Sequence, residues 1–460
     1  MELVVPSSGP TGAFERYRKA VPERRVLQML RGQAVFSRKG PLSAWVAMWL
    51  MIFQRLDAGG TLSAAVRQLL SGGVRAFVRR PKGGVAKPLS ANTSAYSQAR
   101  SKLPLAVVEK VSDTIFESLC EQLRSLPGVE LPVFLLEGTS IQLQHRGELL
   151  GKWPAARNQH GGSHWSVIRV VVAHDVIGGL AVRPCWGAMD GDGAVSEQGL
   201  TKEIMKRLPA GCAVLGDRNF GVFSMAWHAG RQNHPCLFRL TELRAKKLNG
   251  GMVPAAGTDR QIVWQPSRDD LRSNPEIPAE VSVAGRLLAF KVCDALGKPQ
   301  KLYFFTTLTP PPEQILNLYG YRWNIETDLR SLKREVRLHM LEARSSEMVE
   351  KELLLGVAAY NLTRAAMNEA GAALGLDPRR FSFAQAQDTL HAFLPLFADA
   401  ASDRERQQIM DQMLRVFSQS KLPKRTRRSY TREVWPRPCP FPKRKVATRR
   451  APANKKKEVA

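Results

Sequence analysis

The spacing of apolar residues changes along the chain, and each change marks a different kind of element. Up to residue 128, apolar positions recur three and four residues apart in segments such as "PLSAWVAMWLMIFQRL" and "LPLAVVEKVSDTIFESL", with glycine and proline between the segments. This spacing is typical of amphipathic helices. The pattern predicts a helical N-terminal domain over residues 1–128, which either binds DNA or serves as a packing domain.

From residue 129 the apolar residues form short runs that end in glycine, aspartate or asparagine, as in "LPVFLLEGTSIQL", "HWSVIRVVVAHDVIGGLAV" and "CAVLGDRNF". Such runs predict strands, whereas "VSEQGLTKEIMKRLPA" between them has helical spacing. A hairpin, a helix and a further strand indicate a mixed sheet covered by helices over residues 129–243. The fold class predicted from these elements is α/β.

The remaining chain divides into four further segments. Residues 244–305 alternate in short stretches joined by turn residues and predict a β-rich insertion. Helical spacing returns over residues 306–350, where prolines occupy the expected first turn, and continues over residues 351–422. Residues 423–460 combine Lys and Arg with proline and predict a basic tail that is disordered until it meets a partner.

The charge of the chain indicates its partner. Lys and Arg number 68 against 41 Asp and Glu, which gives a net charge of +27. Residues 421–460 carry +13 of this charge, and the rest of the chain carries +14. An excess this large and widespread predicts a polyanionic partner, with nucleic acid as the first candidate.

Two classes of protein are disfavoured. The six cysteines are scattered without a C-x-x-C pair, which argues against a zinc site or a redox dithiol. No apolar run approaches the roughly 18–20 residues that span a bilayer, and no N-terminal signal is evident. We therefore expect a soluble cytoplasmic protein that does not bind membranes.

Three carboxylates stand where a fold can bring them together. Glu137 and Asp217 end strand-like runs, and Glu326 lies on the helix that follows Pro312. In a basic chain, three carboxylates from separate segments are the arrangement expected for a divalent-metal site that acts on phosphodiesters. The plain alternatives are a turn role for Asp217 and a surface ion pair between Glu326 and Arg322.

The helix after residue 312 presents a polar stripe. At about 100° per residue its polar side chains fall within roughly 60° of one another; they are Tyr319, Arg322, Glu326 and Lys333. An apolar stripe that includes four leucines or isoleucines lies beside them. The pattern predicts one helix that docks through its apolar stripe and exposes the polar one.

These residues carry a resemblance. The interval Tyr319-x2-Arg322-x3-Glu326-x6-Lys333 resembles the Y-R-E-K signature of bacterial DDE transposases of the insertion sequence 4 type. The segment "GDRNF" is similar to the second acidic motif of that family. The segment "EGTSIQL" stands where its first acidic motif, normally D-G-T or D-G-S, is expected.

The resemblance implies a fold and an activity. The fold is an RNase H-like mixed sheet with flanking helices, interrupted by the β-rich insertion. The activity is metal-dependent cleavage and strand transfer at the inverted-repeat ends of an insertion sequence. The resemblance makes Glu137, Asp217 and Glu326 the catalytic residues and the ligands of Mg²⁺, for which Mn²⁺ substitutes.

The same resemblance implies DNA contacts and partners. It places Tyr319, Arg322 and Lys333 on phosphates near the cleaved end, roles that suit a hydroxyl donor, a bidentate fork and a point charge. Trp264 in "IVWQPSR" is either the aromatic that stacks on a displaced base or a core tryptophan. The implied partners are double-stranded DNA, as terminal repeats and target, and a second copy of the chain. The implied location is the bacterial cytoplasm, associated with the nucleoid.

Position 137 departs from the family pattern, because glutamate stands where aspartate is expected. The extra methylene moves the carboxylate by roughly 1 Å, and misplacement on that scale can cost about a hundredfold in rate. The site has adjusted to glutamate, the protein is a catalytically weak or inactive DNA-binding derivative, or the residue is a deliberate substitution. Asp190 and Asp192 either replace the missing ligand or form a turn.

Overall fold

The structure is a computed structural model that describes residues 12–32, 42–57, 59–71, 90–158, 161–293, 297–339 and 341–423. The predicted basic tail, 423–460, therefore lies outside the described residues apart from Pro423.

The region with helical spacing at the N-terminus forms helices. Its described residues contain α1 (Ala13–Ala20), α2 (Glu23–Met29), α3 (Ala44–Leu56), α4 (Leu62–Leu70), α5 (Ser94–Lys102) and α6 (Leu105–Leu119). Ser43 and Thr61 begin α3 and α4 by accepting hydrogen bonds from the backbone N–H groups of Val46 and Ala64. Almost every residue of α3 is buried, so this helix lies inside a helical core.

A single sheet occupies the middle of the described chain. Its nine strands are β1 (Val133–Gln142), β2 (Ala155–Asn158), β3 (Gly161–Asp175), β4 (Cys185–Ala188), β5 (Ala213–Gly216), β6 (Cys236–Leu240), β7 (Asp259–Trp264), β8 (Val283–Cys293) and β9 (Pro299–Thr306). The long hairpin of β1 and β3 is antiparallel, and β4 pairs antiparallel with β3. On the other side of β1, β5 and then β6 run parallel. This order and these directions are those of an RNase H-like sheet, and the predicted fold class is confirmed.

The segment predicted as a β-rich insertion extends this sheet. Strand β9 pairs antiparallel with β6, and β8 and β7 follow it outward. Phe304 and Phe305 of β9 are fully buried on opposite faces, and each belongs to a different core cluster. A strand buried on both faces belongs inside a sheet, which is why these strands do not form a separate layer.

Helices cover the sheet and continue to the end of the described chain. They are α7 (Gly147–Lys152), α8 (Glu197–Met205), α9 (Phe223–Arg231), α10 (Glu242–Leu248), α11 (Arg268–Ser273), α12 (Pro312–Gly320), α13 (Trp323–Arg330), α14 (Ser346–Leu374), α15 (Phe383–Asp399) and α16 (Asp403–Gln419). Residues 349–368 of α14 are all buried, and α14 packs against α3, α6 and α15. The N-terminal and C-terminal helices thus share one core around α14. Within the described ranges, no helix is long and apolar enough to cross a membrane.

The helix predicted after residue 312 is two helices, which corrects the sequence prediction. Helix α12 ends at Gly320, and α13 begins at Trp323. Between them, the N–H of Arg322 donates to the carbonyl of Tyr319 over 3.0 Å, a tighter turn than an α-helix makes. Glycine is unfavourable inside a helix because it loses more backbone freedom on folding than other residues do. A π-helical turn, Ser331–Glu335, follows α13, so angles counted at 100° per residue do not extend across this segment.

Candidate active site

Glu137 and Asp217 lie at the same edge of the sheet. Strands β1 and β5 are parallel and pair as far as Leu135 and Leu215, and each carboxylate stands two residues further along its chain. The backbone N–H of Asn219 donates to Asp217 Oδ1 over 2.8 Å, a turn typical of aspartate after a strand. The ends of these two strands therefore bring the first two predicted acids together.

The loop after Asp217 approaches β6 closely. A Cβ atom added to Gly221 would lie 2.1 Å from the carbonyl oxygen of Arg239, a backbone atom that cannot move aside cheaply. Glycine at position 221 allows this approach. The approach fixes the loop that carries Asp217 against the sheet.

Arg322 lies between the first and third predicted acids. One terminal nitrogen of its guanidinium is 4.0 Å from Glu137 Oε2, and the other is 3.6 Å from Glu326 Oε1. The Glu137 side chain is 23% exposed, whereas the Glu326 side chain on α13 is 52% exposed. The site is thus open to solvent on the side of α13.

The electrostatics of Glu137 reflect its carboxylate neighbours. Burial raises the pKa of Glu137 to about 7, Asp217, Glu197 and Glu326 add to the rise, and Arg322 opposes it. The negative charge of these neighbouring carboxylates outweighs the nearby positive charge. Carboxylate oxygens are the ligands that a hard divalent cation prefers. In this structure the side chains do not yet converge, since no three His, Cys, Asp or Glu residues of the described chain are grouped to hold a metal ion.

Lys333 approaches the site from the π-helical turn. Its Nζ donates to Thr139 Oγ1 over 3.0 Å, which places the cation two residues from Glu137 along β1. Burial lowers the pKa of Lys333. The structure therefore brings Lys333 and Arg322 together with the predicted acids.

Two of the residues predicted to contact DNA are buried in this structure. Tyr319 is 7% exposed, and its ring centre lies 4.6 Å from that of Phe304. Trp264 is 8% exposed and packs edge-on against Phe305, with ring centres 4.9 Å apart. Neither ring offers a free face to DNA, because Tyr319 lies on the buried side of α12 and Trp264 is a buried residue of β7. The core alternative for Trp264 fits the structure.

Three residues near the site were not predicted from the sequence. Arg239 lies beside the Tyr319 hydroxyl, where burial raises the pKa of Tyr319 and Arg239 opposes the rise. A single cation inside the apolar strand "CLFRL" was the available signal for Arg239. Trp323 is 65% exposed, with the Arg322 guanidinium 5.2 Å from its ring centre. Glu197, at the start of α8, had no sequence signal beyond a helix start.

The two alternative acids lie in a turn. Asp190 and Asp192 occupy the bend and turn between β4 and α8. Neither is among the groups that shift the pKa of Glu137. The turn interpretation therefore describes both residues.

Comparison with known proteins identifies a family. Residues 130–362, just over half of the 460, match the family described as "Transposase DDE domain". The transposase InsG for insertion sequence element IS4 of Escherichia coli (strain K12) is 27% identical over 179 residues, which span 37% of this chain and 40% of InsG. A solved structure, the cryo-EM structure of the piggyBac transposase synaptic complex with hairpin DNA, has a TM-score of 0.45 and 10% identity over 89% of this chain and 88% of that chain.

The family match extends from just before β1 to the middle of α14 and so contains Glu137, Asp217, Glu326 and the segment that resembles the Y-R-E-K signature. The family predicted from that signature is confirmed: the chain belongs to the DDE transposase family.

Proposed function

We propose that this protein is a DNA transposase that cleaves the inverted-repeat ends of an insertion sequence and transfers them to target DNA. One observation carries the proposal: Glu137 and Asp217 lie at one edge of the sheet, and Arg322 lies between Glu137 and Glu326 of α13. Membership of the family and a net charge of +27 support it.

The three carboxylates are the proposed ligands of Mg²⁺, with Mn²⁺ as a substitute. Bound divalent ions activate a water or a 3′-hydroxyl and stabilise the leaving oxygen in phosphodiester chemistry. The role of Glu137, Asp217 and Glu326 is to supply hard oxygen donors from two strand ends and a helix. Burial raises the pKa of Glu137 and the neighbouring carboxylates add to the rise, so a bound cation would relieve their mutual repulsion.

The cations of the site are the proposed phosphate contacts. Arg322 offers a bidentate fork, and Lys333 offers a point charge beside β1. Tyr319 is buried, and its proposed contribution to phosphate binding is indirect, through its contact with Arg239. Trp323, which is exposed beside Arg322, provides the aromatic face that Trp264 does not, and we propose it as the side chain that stacks on a displaced base.

The proposed partners are double-stranded DNA and a second copy of the chain. The DNA comprises the terminal repeats and the target. A homodimer would hold two ends together while each is cut. This part of the proposal follows from family membership and from the basic charge.

A second candidate is a transposase-derived DNA-binding protein with weak or no catalysis. Glu137 favours it, since the family pattern has aspartate there, and so does the separation of the acidic side chains in the described residues. This candidate retains the basic surface and the fold but lacks efficient cleavage.

An assay on the DNA that flanks the gene distinguishes the two candidates. The full chain is incubated with that DNA and Mg²⁺ or Mn²⁺, and nicking at the ends is followed beside a gel-shift measurement of binding. The proposal predicts metal-dependent nicking that Asp217→Asn abolishes and that Asp192→Asn, the same change in the turn, leaves intact. Binding without nicking supports the second candidate. If the chain neither binds nor nicks this DNA, both candidates are contradicted.

A further inference from the structure

The sheet itself does not join the two strand ends that carry the first two acids. The pairing of β1 with β5 stops at Leu135 and Leu215. Glu137 remains paired with Val172 of β3 on its other side, but towards Asp217 the described ladder has ended. Another contact is needed to hold these two segments at a defined separation.

Helix α8 begins at this gap and holds the loop that carries Asp217. The side chain of Gln198 donates to the carbonyl of Asn219 over 2.8 Å. The side chain of Asn219 donates to Glu197 Oε2 over 2.5 Å, and its backbone N–H orients Asp217. The first turn of α8 thus holds Asn219 through two hydrogen bonds, and the backbone N–H of Asn219 orients the Asp217 carboxylate.

The same carboxylate of Glu197 reaches β1. A Cβ atom added to Gly138 would lie 2.1 Å from Glu197 Oε1, so the carboxylate covers the residue next to Glu137. Burial and Asp217 raise the pKa of Glu197, and Arg169 together with hydrogen bonds from the Asn219 side chain and the Gly138 backbone opposes the rise. Glu197 therefore contacts both segments at once.

We propose that Glu197 is a positioning residue that ties the end of β1 bearing Glu137 to the loop bearing Asp217. Glycine at position 138 leaves the space that the Glu197 carboxylate occupies, so a side chain there would displace that carboxylate. The inference rests on the proposed function, because the groups that Glu197 positions are the proposed metal ligands. It adds a fourth acid to the site with a role distinct from the three predicted ones.

A double-mutant cycle tests this role in the full chain. The variants are Glu197→Ala, Gly138→Ala and the double variant. Glu203→Ala serves as the control, because Glu203 lies on the same helix in an exposed pair with Lys206. Four quantities are measured: Mn²⁺ affinity by calorimetry, kcat and KM for end DNA, DNA affinity and Tm.

Each single variant is expected to weaken Mn²⁺ binding several-fold and to lower kcat by roughly 10- to 100-fold, because displacement near 1 Å costs that much. KM, DNA affinity and Tm are expected to change little. The double variant should be no worse than Glu197→Ala alone, because alanine at position 138 then meets no carboxylate. Glu203→Ala should match the wild type.

Other outcomes overturn the proposal. Unchanged Mn²⁺ affinity and kcat in Glu197→Ala contradict it, and so do fully additive effects of the two substitutions. A joint fall of Tm and DNA affinity would show a merely structural role. A wild-type chain that binds Mn²⁺ without cleaving DNA contradicts only the proposed function. The Mn²⁺ affinities of the variants then still decide the role of Glu197. A wild-type chain that binds no Mn²⁺ contradicts both.

Discussion

Glu137 extends its carboxylate one methylene beyond the reach of an aspartate at the same strand end. Its backbone position is set by β1, which pairs it with Val172, so the extra length is taken up by the side chain alone. The carboxylate then lies 4.0 Å from the Arg322 guanidinium. Within a metal site this length matters, because Mg²⁺ demands near-ideal octahedral geometry whereas Mn²⁺ tolerates more variation.

We expect Glu137→Asp to raise Mg²⁺-dependent cleavage about tenfold or more and to raise Mn²⁺-dependent cleavage less, because the shorter acid restores the geometry that Mg²⁺ requires. Initial rates of end nicking in the two metals measure the effect. Glu326→Asp makes the same chemical change at the third acid and should lower both rates. A fall in rate for Glu137→Asp would show that the site has adjusted to glutamate.

His174 carries a second prediction at this scale. It is fully buried in β3 beside Tyr360 of α14, and burial lowers the pKa of His174 to about 4, against Asp328, which raises it. The unfolded chain takes up the proton near pH 6.5 and the folded chain only near pH 4. The stability contributed by the neutral ring is therefore full above pH 6.5 and is lost as the pH falls from 6.5 towards 4.

The difference in free energy of unfolding between wild type and His174→Gln, measured by urea denaturation from pH 4 to 8, isolates this contribution. The difference should be constant above pH 6.5 and should shift against the wild type by up to about 3 kcal/mol at pH 4. Burial also raises the pKa of Asp175 to about 6, but that contribution is present in both proteins. A difference independent of pH would contradict the prediction.

At the scale of elements, spacing along the chain indicated which segments are helices and strands but not how they join. Runs such as "CAVLGD" marked a strand and the acid at its end, so Asp217 could be placed from the sequence. The break at Gly320 and the π-helical turn were not predicted, because helical spacing continues across both and a single glycine does not by itself end a helix. Contacts between distant segments, such as Glu197 over Gly138, leave no periodic signal.

The anchor of α13 is a further contact of this kind. Asp328 is completely buried, and it accepts hydrogen bonds from Arg364 of α14 and from Arg379. Arg379 also donates to the carbonyl of Val176, over 2.8 Å. This network fixes the helix that bears Glu326, two residues before Asp328, to the C-terminal helices and to the end of the hairpin.

Asp328→Asn is expected to cost about 3–5 kcal/mol of stability, because it leaves two buried guanidinium groups without their carboxylate. The free energy of unfolding in urea measures the cost. Asp388→Asn changes an exposed aspartate of α15 in the same way and should cost little. A loss below about 1 kcal/mol for Asp328→Asn would show that the network is not a principal anchor of α13.

At the scale of the whole molecule, α14 makes one core of helices that are far apart in sequence, and the described chain ends beside α13. The N–H of Leu422 donates to the carbonyl of Arg380, and residues 422 and 423 line a cavity of about 630 Å³ with Asn324, Thr327 and Arg330 of that segment. Residues 424–460, which follow in the sequence, contain 14 Lys and Arg and 2 Glu.

Deletion of residues 424–460 is expected to flatten the dependence of DNA affinity on salt, because the slope of log K against log salt falls by about 0.9 for each phosphate that the protein no longer neutralises. Binding to unrelated duplex DNA at several salt concentrations measures the slope. A chain in which the order of these residues is shuffled keeps the charge and should keep the slope. An unchanged slope after deletion would exclude a role for the tail in sequence-independent affinity.

The hydrogen-bonded ladder between β1 and β5 ends before the two acids, so the residues that pair these strands are not the proposed catalytic residues. Since the hydrogen-bonded pairs stop at Leu135 and Leu215, a change at position 137 or 217 alters no pair between these two strands. Under the proposed function, one substitution at either position abolishes cleavage while the product still folds and still binds DNA ends. Under the same proposal, such a product competes with active copies for the same ends, so that an inactivated element inhibits its relatives.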